Sequence, residues 1–272
     1  MVGVAFGFKE IDDFGKQQMK HFVLSLSVVS HGQVALVSDL LSDIQKYCAE
    51  DALEVLLTLN VPEPLPDLFN QFTFPLKVIH NTVPLGFGEN HNRAFEQASG
   101  DFFCVINPDI RLDGNVFPIV MTGLGDASIG LVAPLVVDGS GAVEDSARRF
   151  PTPLKILCKL IGRCAGSDYV IRDAPIYPDW VGGMFMVLRR DVYKELNGFN
   201  QKYFLYYEDV DLCARLWLKG LKVALIPKVR ATHRAQRSSH KKIRYFWIHI
   251  RSMLRFFFSS TFLRLMCLRT RR

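Results

Sequence analysis

GFGENHNRAFEQASGDFFCVINPDI, residues 86–110, decides the fold. Glycines open a helix over 86–99, and Gly100 stops it. The apolar run Phe102–Asn107 follows as a strand and leads straight into Pro108. The same rhythm extends in both directions. Upstream, Phe22–Ser30 reads as a strand. Gln33–Ala49 has Val34, Val37, Leu41, Ile44 and Cys48 at helical spacing. Leu53–Leu59 and Leu76–His80 are two further strands, separated by a loop containing Pro62, Pro64 and Pro66. Downstream, Ile129–Ala133 is a fifth strand. This alternation predicts an α/β chain with a mostly parallel central sheet and helices on both faces.

The second half is less regular. Residues 138–180 hold several Gly and Pro and predict a long loop region with a short helix near Leu154–Ile161. Met184–Arg189 reads as a strand, Asp191–Leu196 as a short helix, and Glu208–Leu218 as a helix followed by Gly220 as its C′ residue. Val223–Ile226 and Val229–His233 read as two short strands.

Composition bounds the answer. The 272 residues are 49% hydrophobic and 22% charged, which excludes a largely disordered or collagen-like chain. The six cysteines form no CxxC pair, so a disulfide scaffold or zinc ribbon is not expected, and a reducing compartment is. The net charge is +6, but nine of the 33 Lys/Arg lie after residue 240, where there is no acid. The body is therefore mildly acidic and the tail strongly basic. In the tail, Ile243, Phe246, Trp247, Ile250, Leu254, Phe257 and Phe258 recur at helical spacing, with Arg244, Arg251 and Arg255 along another face. This pattern fits a helix lying on an anionic membrane surface, or one docking on the body by the same stripe. The N-terminus lacks a basic region followed by an apolar core, and no run is long enough to span a bilayer. The expected location is cytoplasmic.

In open α/β sheets ligands bind beyond the carboxyl ends of strands. Three groups lie at such places. Asn107-Pro108-Asp109 follows the strand FFCVI. A carboxylate there can hold Mg²⁺ or Mn²⁺ against a substrate diphosphate, and the same residues also suit a plain turn. Tyr206-Tyr207-Glu208-Asp209-Val210-Asp211 places three carboxylates at a helix start. The helix dipole favours them, and their mutual repulsion can raise one pKa into the range of a general base. His233 ends the strand VRATH and is a candidate metal ligand.

Taken together, these residues resemble a known family. GFGENHNRAFEQASGDFFCVINPDI is similar to the donor-binding half of family-two inverting glycosyltransferases. WVGGMFMVLRRDVYKELNGFNQKYFLYYEDVDLCARLWLKGLKVALIP, residues 180–227, is similar to their acceptor and catalytic half, nearest to the rhamnosyltransferase-like branch of bacterial surface polysaccharide synthesis. The resemblance covers roughly residues 22–235. It implies a GT-A fold over 1–240, with a Rossmann-like nucleotide-sugar half over about 20–137, an acceptor half over about 138–240, and the tail 241–272 as a basic amphipathic helix.

The resemblance also implies roles. Asp109 matches the metal-binding carboxylate of a DxD-type motif, with Asn107 in place of its first Asp. Asp209 matches the catalytic base, with Glu208 beside it, and His233 matches a metal-ligating His. Trp180, Gly182 and Gly183 match an acceptor-pocket WxGG. Ser30 and His31 fall where the nucleotide pocket begins. Relatives often carry Asp-Asn or Asp-Asp after the second strand to help hold the base; here Asn60 or Glu63 is the candidate for that contact. Asn90 and Arg93 are expected near donor phosphate or sugar, or within their helix. Arg148 and Arg149, adjacent in a Pro-bounded loop, suit phosphate contact with the donor diphosphate or a lipid-linked acceptor, or a solvated loop. The implied donor is a nucleoside-diphosphate sugar, dTDP-rhamnose first and a UDP-sugar second. The implied acceptor is a lipid-linked glycan or lipopolysaccharide precursor at the inner face of the bacterial plasma membrane.

Two other classes compete. A sugar nucleotidyltransferase would need a basic Gly-rich loop near the first strand, and VVSHGQVALV has one Gly and no Lys or Arg. An RNA-binding module would need exposed aromatics and bases together on a sheet or loop. The tail aromatics share one helical stripe instead, so no nucleic acid is expected.

Overall fold

The computed structural model describes residues 23–49, 51–162, 166–234 and 242–269. The first half is β1 (Leu24–Ser30), α1 (Val34–Cys48), β2 (Leu53–Leu59), β3 (Leu76–His80), α2 (Phe87–Phe95) and β4 (Phe102–Ile106). These strands pair in parallel in the order β3-β2-β1-β4. Strands covered on both faces are apolar almost throughout, and all seven residues of β2 are buried. Ser25 and Ser27 interrupt β1 because buried hydroxyls there have partners. Ser25 Oγ donates to Glu54 at 2.7 Å and accepts the Gly100 N–H at 2.8 Å. Ser27 Oγ lies 2.7 Å from Nδ1 of His91, whose burial depresses its pKa to about 3 and keeps the ring neutral.

The second half holds β5 (Ile110–Arg111), α3 (Phe117–Gly123), β6 (Ile129–Asp138), β7 (Ala147–Arg148), α4 (Pro153–Leu160), β8 (Trp180–Val181), β9 (Phe185–Arg189), α5 (Arg190–Glu195), α6 (Glu208–Leu218), β10 (Lys222–His233), α7 (Lys242–Phe257) and α8 (Ser260–Arg269). The sheet continues β4-β9-β6-β10-β5. β9 runs antiparallel to both β4 and β6, β10 runs parallel to β6, and β5 runs antiparallel to β10. The sheet is therefore mixed in this half. β6 extends five residues beyond the expected Ala133. The two short strands expected at 223–233 are one strand with a register shift between Ile226 and Arg230. Pro227 lies inside that shift, where its missing N–H does least harm.

Two apolar layers flank the sheet. Val37, Leu41 and Ile44 of α1 and Phe117 and Val120 of α3 fill one. Ala94 of α2, Val192 of α5 and Leu212 and Leu216 of α6 fill the other. Phe256, Phe262 and Leu265 of α7 and α8 are buried in this second layer, each contributing about 1.5–3 kcal/mol by leaving water. The tail helices are thus part of the body's core. The tail stripe read from the sequence mostly faces outward: Ile243 is 77% exposed, Trp247 64% and Phe258 83%.

Candidate active site

Strand register builds the first part of the site. β5 pairs with the end of β10, and the Arg234 N–H donates to the Asp109 carbonyl at 2.8 Å. His233 Nε2 consequently lies 3.2 Å from Asp109 Oδ2. The hydrogen bond to Asp109, with the charges of Asp109 and Glu144, raises the His233 pKa above the ordinary imidazole value against the effect of burial. β5 is itself clamped to α1. Arg111 Nε and Nη2 donate to Asp43 at 2.6 and 2.8 Å, and the Leu112 N–H donates to the same carboxylate at 3.0 Å.

The second part is the start of α6. Tyr206 and Tyr207 have φ of 68° and 69°, a left-handed conformation that costs roughly 1–2 kcal/mol per side-chain-bearing residue. Neighbours hold the loop in this shape. The Phe87 N–H donates to the Phe204 carbonyl at 2.8 Å. A Cβ on Gly86 would lie 2.7 Å from that oxygen, so the first glycine of GFG serves a close backbone approach between the two halves of the chain. From α7, Ser252 Oγ donates to the Leu205 carbonyl at 2.8 Å, and the His249 ring packs edge-on against Tyr206 and Tyr207 at 5.3 and 5.4 Å.

The three carboxylates of α6 have separate surroundings. Asp211 is fully buried and accepts from Arg215 Nε at 2.7 Å; Arg215 in turn donates to the carbonyls of Leu196 and Gly198. It ties α6 to the end of α5. Burial, and then the charge of Asp209, pushes Glu208 well above the usual carboxylate range, and its buried Oε2 has no hydrogen-bond partner. Burial also raises Asp209, but backbone N–H donors oppose it. Oδ2 accepts from Gly183 at 3.1 Å and Oδ1 from Val210 at 2.8 Å. Burial and the neighbouring charge thus push Glu208 upward with little to oppose them, whereas two backbone N–H donors favour the ionised form of Asp209.

Two adjoining cavities open here. One, of about 620 Å³, is lined by Asp209, Glu208, Trp180, Gly182, Gly183, Arg148 and Arg149, among others. The other, of about 430 Å³, is lined by His31, Asn60, Asn90 and Asp109, among others. Phe87, Asn107 and Leu205 line both. His233 meets the second cavity through Asp109 and is not part of its lining. All acceptor-side candidates thus border one cavity, and five of the donor-side candidates border the other.

Ser30, Glu63 and Arg93 do not border either cavity. Ser30 Oγ accepts the Gln33 N–H at 3.1 Å. Glu63 accepts the N–H groups of Gly32 at 3.2 Å and Val34 at 2.9 Å, supplying the cap that Gln33 does not give α1. Arg93 donates to Asn81 at 2.9 Å. Asn60 and Asn90 border the cavity but are engaged in an amide network. Asn81 Nδ2 donates to both, Asn60 also holds the Leu85 N–H and carbonyl, and Asn90 donates to the Gly86 carbonyl. This network forms a rigid floor. Residue reading missed Glu144, whose two oxygens lie 3.0 Å from His233 Nδ1. It also missed Tyr245, His249 and Met253 of α7 as wall residues. No motif or periodicity signals these contacts.

A divalent cation fits the Asp109–His233 pair. Asp109 Oδ1 is buried with no hydrogen-bond partner, as expected of an oxygen whose partner is a ligand. Carboxylate and imidazole together are donors that would suit Mn²⁺ or Mg²⁺. Among the described residues no three ligating side chains converge on one point. The carboxylates of Asp109 and Glu144 approach opposite nitrogens of the His233 ring, which explains why.

The eight-stranded mixed sheet, flanked by helices and with two adjoining cavities beyond the end of β4, is the GT-A architecture of glycosyltransferases. Solved structures share it. GalNAc-T7 with UDP, GalNAc and Mn²⁺ matches with a TM-score of 0.59 at 15% identity, over 84% of this chain and 48% of that one. The mannosyltransferase PcManGT from Pyrobaculum calidifontis, in complex with GDP-Man and Mn²⁺, matches with a TM-score of 0.54 at 14% identity, over 90% of this chain and 73% of that one.

The chain belongs to the glycosyltransferase-like family 2, whose model matches residues 69–259, and is a glycosyltransferase. Rhamnosyltransferase WbbL of Escherichia coli is 26% identical over 248 residues, 84% of this chain and 90% of that protein. The N-acetylglucosaminyl-diphospho-decaprenol L-rhamnosyltransferase of Mycobacterium tuberculosis is 26% identical over 186 residues. This chain spans 60% of its length.

Proposed function

We propose that the protein is an inverting, metal-assisted rhamnosyltransferase. It transfers the sugar of dTDP-rhamnose to a hydroxyl of a lipid-linked glycan, with Asp209 as general base. The observation that carries this reading is the division of labour across one shared wall. Asp109, paired to His233, borders one cavity, Asp209 borders the other, and Asn107 and Phe87 border both. A diphosphate held on the Asp109 side directs the anomeric carbon toward the Asp209 side.

In the reaction, Asp209 takes the proton of the acceptor hydroxyl as that oxygen bonds to the anomeric carbon. The bond from that carbon to the diphosphate breaks, and its electron pair leaves with the diphosphate. Asp109 and His233 would hold Mg²⁺ or Mn²⁺, which would stabilise negative charge on the departing diphosphate. The Gly183 N–H fixes the Asp209 carboxylate, so the base is aimed before the acceptor arrives. Trp180 walls the acceptor cavity, its Nε1 donating to the Arg149 carbonyl at 3.1 Å, and Arg148 stacks 5.6 Å over its ring. Arg148 and Arg149 offer a diphosphate-bearing acceptor two cations. The choice of rhamnose is supported by the names of the sequence relatives.

An acceptor on a membrane lipid suits the outer surface. Among the described residues no helix is long and apolar enough to cross a membrane. The exposed stripe of α7, with its arginines and no acid in the first turn, is suited to lying in an anionic interface, placing the enzyme peripherally on the cytoplasmic leaflet.

The test is a thermal-shift screen of nucleoside diphosphates with and without Mn²⁺. Ligands that bind only the folded state raise its stability with affinity. dTDP should give the largest metal-dependent rise. A larger rise with GDP, or none with any diphosphate, rejects the donor assignment.

A further inference from the structure

We propose that Glu144 is a positioning residue that orients His233 toward the cation site. The inference rests on the metal reading above. The hairpin geometry places Glu144 for this contact. β6 runs out to Asp138, opposite His233 on the parallel strand β10. The chain turns through Gly141, at φ +83°, with Asp138 Oδ1 accepting the N–H groups of Ser140 and Ala142 at 2.8 and 3.0 Å. It then returns along β6, with Val143 bridged to Val137 and the Glu144 N–H donating to the Val136 carbonyl at 3.0 Å. The first side chain after the bridge lies beside His233.

Both oxygens of Glu144 lie 3.0 Å from Nδ1, while Nε2 lies 3.2 Å from Asp109 on the other side of the ring. A carboxylate accepts hydrogen bonds only, so Nδ1 carries the hydrogen. In the neutral ring the lone pair then falls on Nε2, which faces Asp109 Oδ2; the other oxygen of that carboxylate, Oδ1, is buried without a partner. A carboxylate behind a ligating imidazole fixes its tautomer and orientation, and losing it typically weakens metal affinity about 10–100-fold. Glu144 is too far round the ring to be a ligand of the same ion.

The experiment titrates Mn²⁺ into the full chain and reads the free ion by electron paramagnetic resonance, with melting temperatures in parallel. His233→Ala should weaken binding, and Glu144→Ala should weaken it about 10–100-fold. The double variant should bind no more weakly than His233→Ala alone, because Glu144 acts only through that ring. Glu144→Asp keeps the charge but shortens the reach, and should also weaken binding. Should either Glu144 variant fail to fold, the other carries the comparison. Unchanged affinity in a folded Glu144 variant, or an additive double variant, overturns the proposal while leaving the metal site standing. Unchanged affinity in His233→Ala, or no Mn²⁺ binding by the wild type, removes the metal reading and this inference with it.

Discussion

Glu208 and Asp209 are adjacent in the chain but differently surrounded: Oε2 of Glu208 has no partner, and Asp209 accepts two backbone N–H groups. Asp209→Asn keeps the shape and the Gly183 contact site but cannot take a proton. Turnover should fall about 10²–10⁴-fold while diphosphate-induced thermal stabilisation persists. Near-normal transfer would move the base elsewhere. Because burial raises Asp209, the acid limb of the rate should lie above the ordinary carboxylate range, with activity rising as Asp209 deprotonates. Glu208 makes a separate prediction about stability. Between the ordinary carboxylate pKa and the raised folded one, the native state holds a proton that the unfolded chain has lost. Stability therefore falls as pH rises through that window. Glu208→Gln has no proton to lose. Melts from about pH 5 upward should show its advantage over wild type growing with pH. A constant difference would mean that Glu208 ionises normally.

At the scale of elements, β5 holds Asp109 beside β10, and the Asp43–Arg111 pair holds β5 to α1. Asp43→Ala leaves a mostly buried guanidinium half-partnered and should lower stability by about 2 kcal/mol, read as a drop in the urea midpoint. Mn²⁺ affinity should weaken as Asp109 loses its fixed place; unchanged affinity would show that β10 alone holds the strand. The first half of the fold was legible because its strands are short buried runs and its helices have one apolar face, a pattern written locally. The second half was less so. β9 reverses the strand direction, and β10 is broken by Pro227; strand direction and register depend on partners distant in sequence. The cavity-lining position of the candidates was readable wherever a motif marks a strand end or helix start, as at Asp109 and Asp209. It was not readable at Glu144, which a hairpin delivers, or at Arg93, which looked available but is held by Asn81.

At the scale of the whole molecule, the tail is both core and surface. Cutting the chain before α7 would strip Phe256, Phe262 and Leu265 from the apolar layer, so truncation tests folding as much as location. Replacing Trp247 and Phe258 with Ser touches only exposed side chains. That variant should keep its melting temperature and lose binding to anionic vesicles in flotation, the remaining attraction vanishing at high salt. Flotation equal to wild type would dismiss the membrane face. Tyr245 lines the cavity beside Asp109, and His249 and Met253 line the one beside Asp209. Trp247 lies two residues before His249, about 3 Å along the helix axis. On the proposed membrane face, the ceiling of the two cavities and the keel on the lipid would therefore be one rod. Seating that keel would set the height of the cavities above the bilayer, and with it how far a lipid-borne hydroxyl must rise to be attacked.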